Sequence, residues 1–196
     1  MEDNAWVCVQ DLRTFAMEKN ARGRSAFTVQ LWWLVSDTIF RGSPQVLYGL
    51  RRMLLRLFGA KIGKKVLIRP TVRITFPWKL RVGDYSWIGD FVELYNIAEI
   101  EIGSNAVISQ YAQLCTGSHD HQDPAFPITS APITIANEAW VATGAMLYPG
   151  VKVGRGAVVA ARAVLRGDAR EMLVYGGSPA RPIGNRLQPD SRSGVL

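Results

Sequence analysis

Aliphatic residues recur at every sixth position over more than half of this chain. A period of six matches neither the 3.6-residue repeat of an α-helix nor the two-residue repeat of a strand. The phase restarts three times and then holds from Ile135 to Leu165 without interruption. The recurring positions are Ile62, Ile68, Ile74, Val82, Ile88, Leu94, Ile102, Ile108, Leu114, Ile135, Val141, Leu147, Val153, Val159 and Leu165. Such a repeat indicates a solenoid of short stacked units.

Small or β-branched residues lie four positions after the aliphatic residue in nearly every unit, as at Val66, Ala106 and Ala145. Glycine often follows the aliphatic residue directly, as at Gly63 and Gly103. This spacing predicts a three-sided prism, in which each short strand points one aliphatic side chain inward and a small residue fits each tight corner. We therefore expect a mainly β fold, a parallel β-helix over residues 61–169.

Interruptions of the six-residue phase locate the segments that leave the prism. Two extra residues, such as Ile100 and Glu101, indicate a bulge. The step from Leu114 to Ile135 is 21 residues, and we expect it to contain a protruding loop that begins at His119 and covers 119–134. Long loops on a regular scaffold commonly carry binding and catalytic residues.

Both histidines of the chain, His119 and His121, lie at the start of this loop in "TGSHDHQ". An imidazole can act as a general base near neutral pH. Two histidines could instead contribute to a zinc site, but catalytic zinc usually needs three protein ligands, so we expect no metal. His121 is equally compatible with an acceptor contact and with a solvated loop position.

The repeat segments "IGDFVE", "IGSNAV" and "VGRGAV" resemble the hexapeptide repeat of the left-handed parallel β-helix acyltransferases. More narrowly, "VQLWWLVSDTIF", "FPWKLRVGDYSWIGD", "CTGSHDH" and "GGSPARPIG" resemble the colanic acid biosynthesis acetyltransferases, which are related to O-acetylation of exopolysaccharide sugars. The resemblance implies a left-handed coil, acetyl-CoA as the acetyl donor, a saccharide acceptor that is free or lipid-linked, and a homotrimer with the donor groove between neighbouring subunits.

The resemblance also implies roles for individual residues. His119 follows a "TG" pair, as the catalytic base of the family does, and a nearby carboxylate or carbonyl should orient it. Residues implied to contact acetyl-CoA are Trp140, Thr143, Ala161 and Arg181, with Arg166 as a substitute at the phosphate end. Ser178 and Gly184 depart from the family pattern there.

Acceptor-site candidates follow from the position of the loop and from the coil spacing, which places Glu99 beneath His119 one coil earlier. Solvated positions on the outer face would look the same in sequence. The candidates are Tyr95, Asn96, Glu99, Asp120 and His121.

The N-terminal segment, residues 1–60, is predicted to contain two helices at 28–40 and 44–58. Ser43 is the expected N-cap of the second helix, with Pro44 in its first position. We expect Arg51, Arg52 and Arg56 to supply the charge of this helix beside its apolar face. The open end of a solenoid must be capped, so we expect a helical cap. The alternative is that residues 28–58 contact anionic lipid. Residues 170–196 are expected to form a C-terminal tail.

The formal net charge of +7 is concentrated near the N-terminus. Residues 1–69 hold twelve Lys and Arg against five Asp and Glu, whereas residues 70–196 hold eleven of each. No binding motif accompanies this excess, so no nucleic-acid partner is expected. We see neither a membrane-spanning stretch nor a signal-peptide pattern, and two cysteines cannot form a disulfide framework. These features predict the cytoplasm, including the inner face of the membrane.

The sequence thus predicts an acetyl-CoA-dependent O-acetyltransferase that acts on a sugar hydroxyl in exopolysaccharide biosynthesis. Two alternatives stay open at this point. One is an enzyme that acetylates a small hydroxylated acceptor, such as an amino acid or an antibiotic. The other is a non-catalytic β-helix scaffold at the membrane surface.

Overall fold

The computed structural model describes residues 8–17 and 21–187 of the chain. The ends of the predicted N-terminal segment and C-terminal tail, at 1–7 and 188–196, and residues 18–20 lie outside the described residues.

Two α-helices, α1 (Ala26–Val35) and α2 (Tyr48–Leu57), precede a long series of short strands. A π-helical turn, Ser36–Phe40, extends α1, and short 3-10 helices occur at Leu12–Thr14 and Pro77–Lys79. The strands in chain order are β1 (Lys61–Ile62), β2 (Leu67–Ile68), β3 (Arg73–Ile74), β4 (Leu80–Val82), β5 (Trp87–Ile88), β6 (Glu93–Tyr95), β7 (Ile100–Ile102), β8 (Val107–Ile108), β9 (Gln113–Cys115), β10 (Gly117–His119), β11 (Ile128–Ser130), β12 (Ile133–Ile135), β13 (Trp140–Val141), β14 (Met146–Leu147), β15 (Lys152–Val153), β16 (Val158–Val159), β17 (Val164–Leu165), β18 (Leu173–Gly177) and β19 (Ala180–Asn185).

Three parallel sheets form the walls of a triangular prism, and this confirms the predicted left-handed parallel β-helix. Wall A stacks β1, β4, β7, β12 and β15, and wall C stacks β3, β6, β9, β14 and β17. Wall B stacks β2, β5, β8, β13 and β16 and continues into the antiparallel hairpin of β18 and β19. Every aliphatic residue of the six-residue repeat is buried in the core.

The corners of the prism explain the small residues of the repeat. Ala98 and Ser118 lie four positions after Leu94 and Leu114 and so share the predicted corner position, but they are not buried, because the chain departs from the prism near both. Glycine is required where neighbouring coils touch. A Cβ atom at Gly83 would lie 2.5 Å from the backbone nitrogen of Ser104, and one at Gly103 would lie 2.6 Å from that of Asn137.

The helices begin at different residues from those predicted. The side chain of Ser25 accepts a hydrogen bond from the backbone of Thr28 and caps α1. The predicted N-cap of α2 is wrong, because α2 begins at Tyr48 and Ser43 lies in the preceding turn. There the Ser43 hydroxyl donates to the carbonyl of Phe40 at 2.6 Å, so it is not available to cap α2.

The arginines of α2 contact the open end of the solenoid. Each coil donates backbone N–H groups to carbonyls of the next coil, so the carbonyls of the first coil have no preceding coil to pair with. Arg51 donates to the carbonyl of Ile68 at 2.7 Å. Further such contacts join Arg52 to Val66 at 2.9 Å, Arg56 to Ile62 at 2.7 Å and to Gly63 at 2.9 Å, and the Trp32 indole to Ile74 at 2.8 Å. The helical segment therefore caps the solenoid through polar contacts.

Candidate active site

The protruding loop leaves the prism at the corner between walls C and A. It forms the antiparallel hairpin of β10 and β11, in which His119 pairs with Ile128. Its two ends meet where the backbone of Ala131 donates to the carbonyl of Thr116 at 3.0 Å. The excursion thus begins and ends about two residues earlier than the predicted 119–134, because β12 already belongs to wall A.

The His119 ring is half-buried and held from two sides. Its Nδ1 atom lies 2.8 Å from the carbonyl oxygen of Phe126, and its ring stacks on the Phe126 ring at 4.2 Å between centroids. Phe15 packs at a tilt on the ring, 6.1 Å away. A carbonyl oxygen only accepts, so Nδ1 must carry a proton and neutral His119 keeps the lone pair on Nε2. This tautomer is the one that a general base at Nε2 requires.

The carboxylates nearest to His119 in sequence stabilise the turn of the loop by accepting hydrogen bonds from its backbone. Asp120 accepts from the backbone of Gln122 at 2.9 Å, and Asp123 accepts from the backbone of Ala125 at 2.8 Å. His121 is exposed at the loop tip. The orienting partner of His119 is therefore the Phe126 carbonyl.

A cleft of about 840 Å³ lies between the loop, coils two and three of the prism, and the N-terminal segment. Glu99 and Lys79 line it together with Ile128, the cross-strand partner of His119. The Lys79 ammonium donates to the carbonyls of Ala21, at 2.7 Å, and Ile97. Burial lowers the pKa of Lys79, and the charge of Glu99 partly opposes this shift. The cleft thus combines a cation and a carboxylate beside the hairpin that carries His119.

The predicted position of Glu99 beneath His119, one coil earlier, is wrong. The position above Glu99 is taken by the far end of the loop, where the backbone N–H of Ile133 donates to the Glu99 carbonyl at 3.0 Å. His119 projects on the hairpin instead, because the chain has already left the prism at Gly117. Glu99 therefore faces the cleft from the prism side.

Two other acceptor candidates lie elsewhere. Asn96 is fully buried, and its side chain accepts from Phe76 N at 2.9 Å and donates to Phe76 O at 2.6 Å. These contacts join two coils and use both ends of the amide. Tyr95 lines a different depression with Trp33, and burial raises the pKa of its phenol.

The residues predicted to contact acetyl-CoA, the acetyl donor, fall into two groups. Trp140 lies on wall B, and its indole donates to the Ser109 hydroxyl at 2.9 Å. Thr143 and Ala161 follow at the corner between walls B and C on successive coils, since the carbonyl of Thr143 accepts from the backbone of Arg162. These three residues form what we call the donor strip.

The two candidate phosphate-binding arginines are separated. Arg181 lies on β19, in the hairpin that extends wall B. Arg166 lies after β17 at the corner between walls C and A, where its guanidinium donates to the Tyr148 hydroxyl at 3.1 Å. Only Arg181 shares a wall with Trp140.

One chain does not bring the base and the donor strip together. The loop with His119 leaves at the corner between walls C and A, whereas Thr143 and Ala161 lie at the corner between walls B and C. Wall C separates these corners. A single site built from both would need two chains.

Within residues 8–17 and 21–187, no three His, Cys, Asp or Glu side chains cluster in a way that could hold a metal ion. The same residues contain no helix of the length and apolarity needed to cross a membrane. Cys8 is exposed and Cys115 half-buried, and both are free thiols.

Comparison with known proteins identifies the family. The chain is 52% identical over 182 residues to the colanic acid biosynthesis acetyltransferase WcaF of Escherichia coli K12, covering 93% of this chain and 100% of that protein. The chain belongs to the colanic acid biosynthesis acetyltransferase family. The same protein of Shigella flexneri matches at the same level. No protein-family model matches the chain.

Solved structures agree with the fold of this acetyltransferase. The hexapeptide-repeat acetyltransferase VCA0836 of Vibrio cholerae, complexed with acetyl coenzyme A, aligns with a TM-score of 0.74 at 25% identity, covering 83% of this chain and 91% of that one. A galactoside acetyltransferase in complex with coenzyme A aligns with a TM-score of 0.76 at 20% identity, covering 87% and 84%.

Sequence reasoning missed three residues of this acetyltransferase that surround the candidate site. Lys79 lies 20 residues before Glu99, the same step that separates paired strands of neighbouring coils, so the coil length could have placed it beside Glu99. Phe15 and Phe126 carry no comparable signal. Their contacts with His119 depend on how the loop folds back and on the hydrogen bond from Asp11 N to Pro124 O at 2.7 Å.

Proposed function

We propose that this acetyltransferase transfers the acetyl group of acetyl-CoA to a hydroxyl of a saccharide acceptor in exopolysaccharide biosynthesis, with His119 as general base. The observation that carries the proposal is the contact between His119 Nδ1 and the Phe126 carbonyl at 2.8 Å. That contact leaves Nε2 as the hydrogen-bond acceptor of a neutral imidazole.

The reaction follows from this tautomer. Nε2 takes the proton of the acceptor hydroxyl while its oxygen attacks the thioester carbonyl carbon. The tetrahedral intermediate then collapses, the carbon–sulfur bond breaks, and the sulfur takes the proton from Nε2 of the imidazolium. The products are an O-acetyl ester and the free thiol of coenzyme A, with His119 neutral again.

The acceptor in this proposal occupies the cleft beside the hairpin. Sugar hydroxyls both donate and accept hydrogen bonds, which suits a cleft that offers the carboxylate of Glu99 and the ammonium of Lys79. Asp120 and His121, on the same loop, would meet the outer part of the saccharide, whether it is free or lipid-linked. The proposed acceptor site includes neither Asn96, whose amide is used within the fold, nor Tyr95.

The acetyl donor in this proposal lies along the donor strip of Trp140, Thr143 and Ala161. Small residues at this corner let a ligand approach the backbone closely. Arg181, which extends the same wall, would bind the phosphates, because a guanidinium is suited to them. Arg166 lies at the corner between walls C and A, where the loop leaves the prism, and this arrangement does not need it.

We also propose that the enzyme is a homotrimer. Wall B presents an outward column of apolar side chains in register, formed by Leu67, Trp87, Val107 and Trp140. Trp87 is 55% exposed, and a row of this kind is typical of a covered interface. In a trimer, the corner between walls B and C of a neighbouring subunit could lie against the loop that carries His119. One chain cannot bring its own donor strip to that loop. We also propose a cytoplasmic location, because the sequence shows no signal-peptide pattern and too few cysteines for a disulfide framework.

Mixed trimers would test the shared site. His119→Ala removes the base, and Ala161→Trp fills the donor strip, so each variant alone should be inactive. Trimers that hold both should regain about one third of wild-type activity, because one of three interfaces pairs an intact loop with an intact strip. The measurement is thiol release by tag-purified mixed trimers. Mixed trimers as inactive as the parents would contradict a site shared between chains.

An acceptor panel tests the reaction itself. We expect thiol release from acetyl-CoA and a gain of one acetyl group, by mass spectrometry, on an exopolysaccharide repeat-unit sugar. Transfer only to amino acids or to an antibiotic would support the alternative, an enzyme that acetylates small hydroxylated acceptors. Calorimetry without any acetyl-CoA binding would support the non-catalytic scaffold.

A further inference from the structure

The outward surface of the N-terminal helices is apolar. On α1, Phe27, Leu31 and Leu34 follow one another at helical spacing and are all exposed, the first to 76% and the last to 62%. They lie opposite the buried Val29 and Trp32. These residues thus form one solvent-facing stripe.

A second exposed apolar stripe runs along α2 and the turn before it. Its exposed members at positions i, i+7 and i+11 are Val46, Met53 and Leu57, while Leu50 between them is half-buried against the core. Leu57 is 73% exposed. The direction of this stripe follows from the capping contacts, because Arg51 and Arg52 must turn toward the carbonyls of the first coil. Helices on soluble proteins usually bury their apolar stripe, and contiguous exposed apolar surface marks an interaction site.

Basic residues surround these stripes. Between positions 21 and 69 the chain holds ten Lys and Arg and one acidic residue, Asp37, a net formal charge of +9. Arg51 is buried in the cap, whereas Arg24, Arg41 and Arg56 are exposed. Lys61, Lys64 and Lys65 are exposed at the first coil, next to the end of α2. Apolar helix faces edged by cations match the interface of an anionic bilayer, where apolar side chains enter the acyl boundary and cations meet the headgroups.

We propose that the helical segment 26–57 is a docking surface for an anionic lipid bilayer, with α1 and α2 lying in the interface and the solenoid projecting from it. The charge complementarity favours lipid over a second copy of this chain, because two such surfaces would repel each other. Wall B also offers a separate surface for self-association. This inference does not depend on the transfer reaction, and it would place the enzyme beside any acceptor that is anchored in the same bilayer.

Vesicle flotation of the full chain tests the inference. We expect the protein to float with vesicles of phosphatidylcholine and phosphatidylglycerol but not with phosphatidylcholine alone. Binding should fall steeply at about 0.5 M salt, where the Debye length is roughly 4 Å. Leu34→Glu and Leu57→Glu should each weaken binding about tenfold or more, since a carboxylate replaces an inserted apolar group.

Leu187→Glu is the matched control. Leu187 is exposed to 70% but lies after β19, at the other end of the solenoid, so this variant should bind vesicles as the wild type does. Thermal melts confirm that all variants fold. Equal flotation of the wild type with both vesicle types, or unchanged binding by both helix variants, would overturn the inference. A fall in oligomer mass for Leu57→Glu without any vesicle binding would assign the surface to another copy of the chain.

Discussion

His119→Ala is expected to lower kcat for acetyl transfer by about 100-fold to 10,000-fold, the range that a positioned general base contributes. The ring has its Nδ1 proton fixed by the Phe126 carbonyl, so its loss removes the one lone pair that the structure orients for proton abstraction. The KM for acetyl-CoA should change little, because in this proposal the donor strip and Arg181 bind acetyl-CoA and His119 acts only on the acceptor hydroxyl. Steady-state kinetics with varied acetyl-CoA measures both constants.

Gln122→Ala controls for a general disturbance of the loop. Gln122 is exposed three residues beyond His119, and its contact with Asp120 uses only backbone N–H, so turnover should remain near the wild-type value. Size-exclusion chromatography with light scattering checks that both variants keep the wild-type mass. A His119→Ala enzyme with nearly unchanged kcat would remove His119 from the mechanism.

Arg51→Met is expected to lower the free energy of unfolding by about 3 kcal/mol or more, because it leaves buried acceptors without their donor. The guanidinium is fully buried and donates to four groups. These are the carbonyl of Ile68 at 2.7 Å, the hydroxyl of Ser43 at 2.7 Å and the carbonyls of Pro44 at 2.9 Å and Gln45 at 2.5 Å. Urea denaturation at fixed protein concentration measures the change.

Arg41→Met is the matched control for this experiment. Arg41 belongs to the same helical segment but is exposed, so its replacement should change the unfolding free energy by less than about 0.5 kcal/mol. Arg51→Lys should fall between the two, since one ammonium cannot span four acceptors. Equal stability of Arg51→Met and Arg41→Met would show that the arginine contacts do not hold the cap.

Much of the solenoid could be predicted from sequence because its signal is local and repeated. Each unit places one aliphatic residue inward, and Ile135 and Leu165 are buried as the phase requires. The end of the loop was less predictable. Ile133 already pairs with Ile100 in wall A. The six-residue period does not show where a long insertion ends, because the phase is lost within it.

The site was predictable in its residue types but not in its geometry. "TGSH" singled out His119, yet the group that orients its ring is the backbone carbonyl of Phe126, which every residue type would present. Asn96 was a reasonable candidate by position, and only its contacts with Phe76 show that its amide is used inside the fold.

The sequence by itself determined the prism, its corners and the candidate base, because a six-residue period and a rare imidazole are visible without any partner. Only the tertiary structure decided which way Arg51 and Arg52 turn, which tautomer His119 adopts, and that wall C separates His119 from Thr143. Each of these depends on backbone atoms brought opposite one another by stacked coils. Carbonyls occur in every residue, so no side-chain pattern identifies which of them will need a donor.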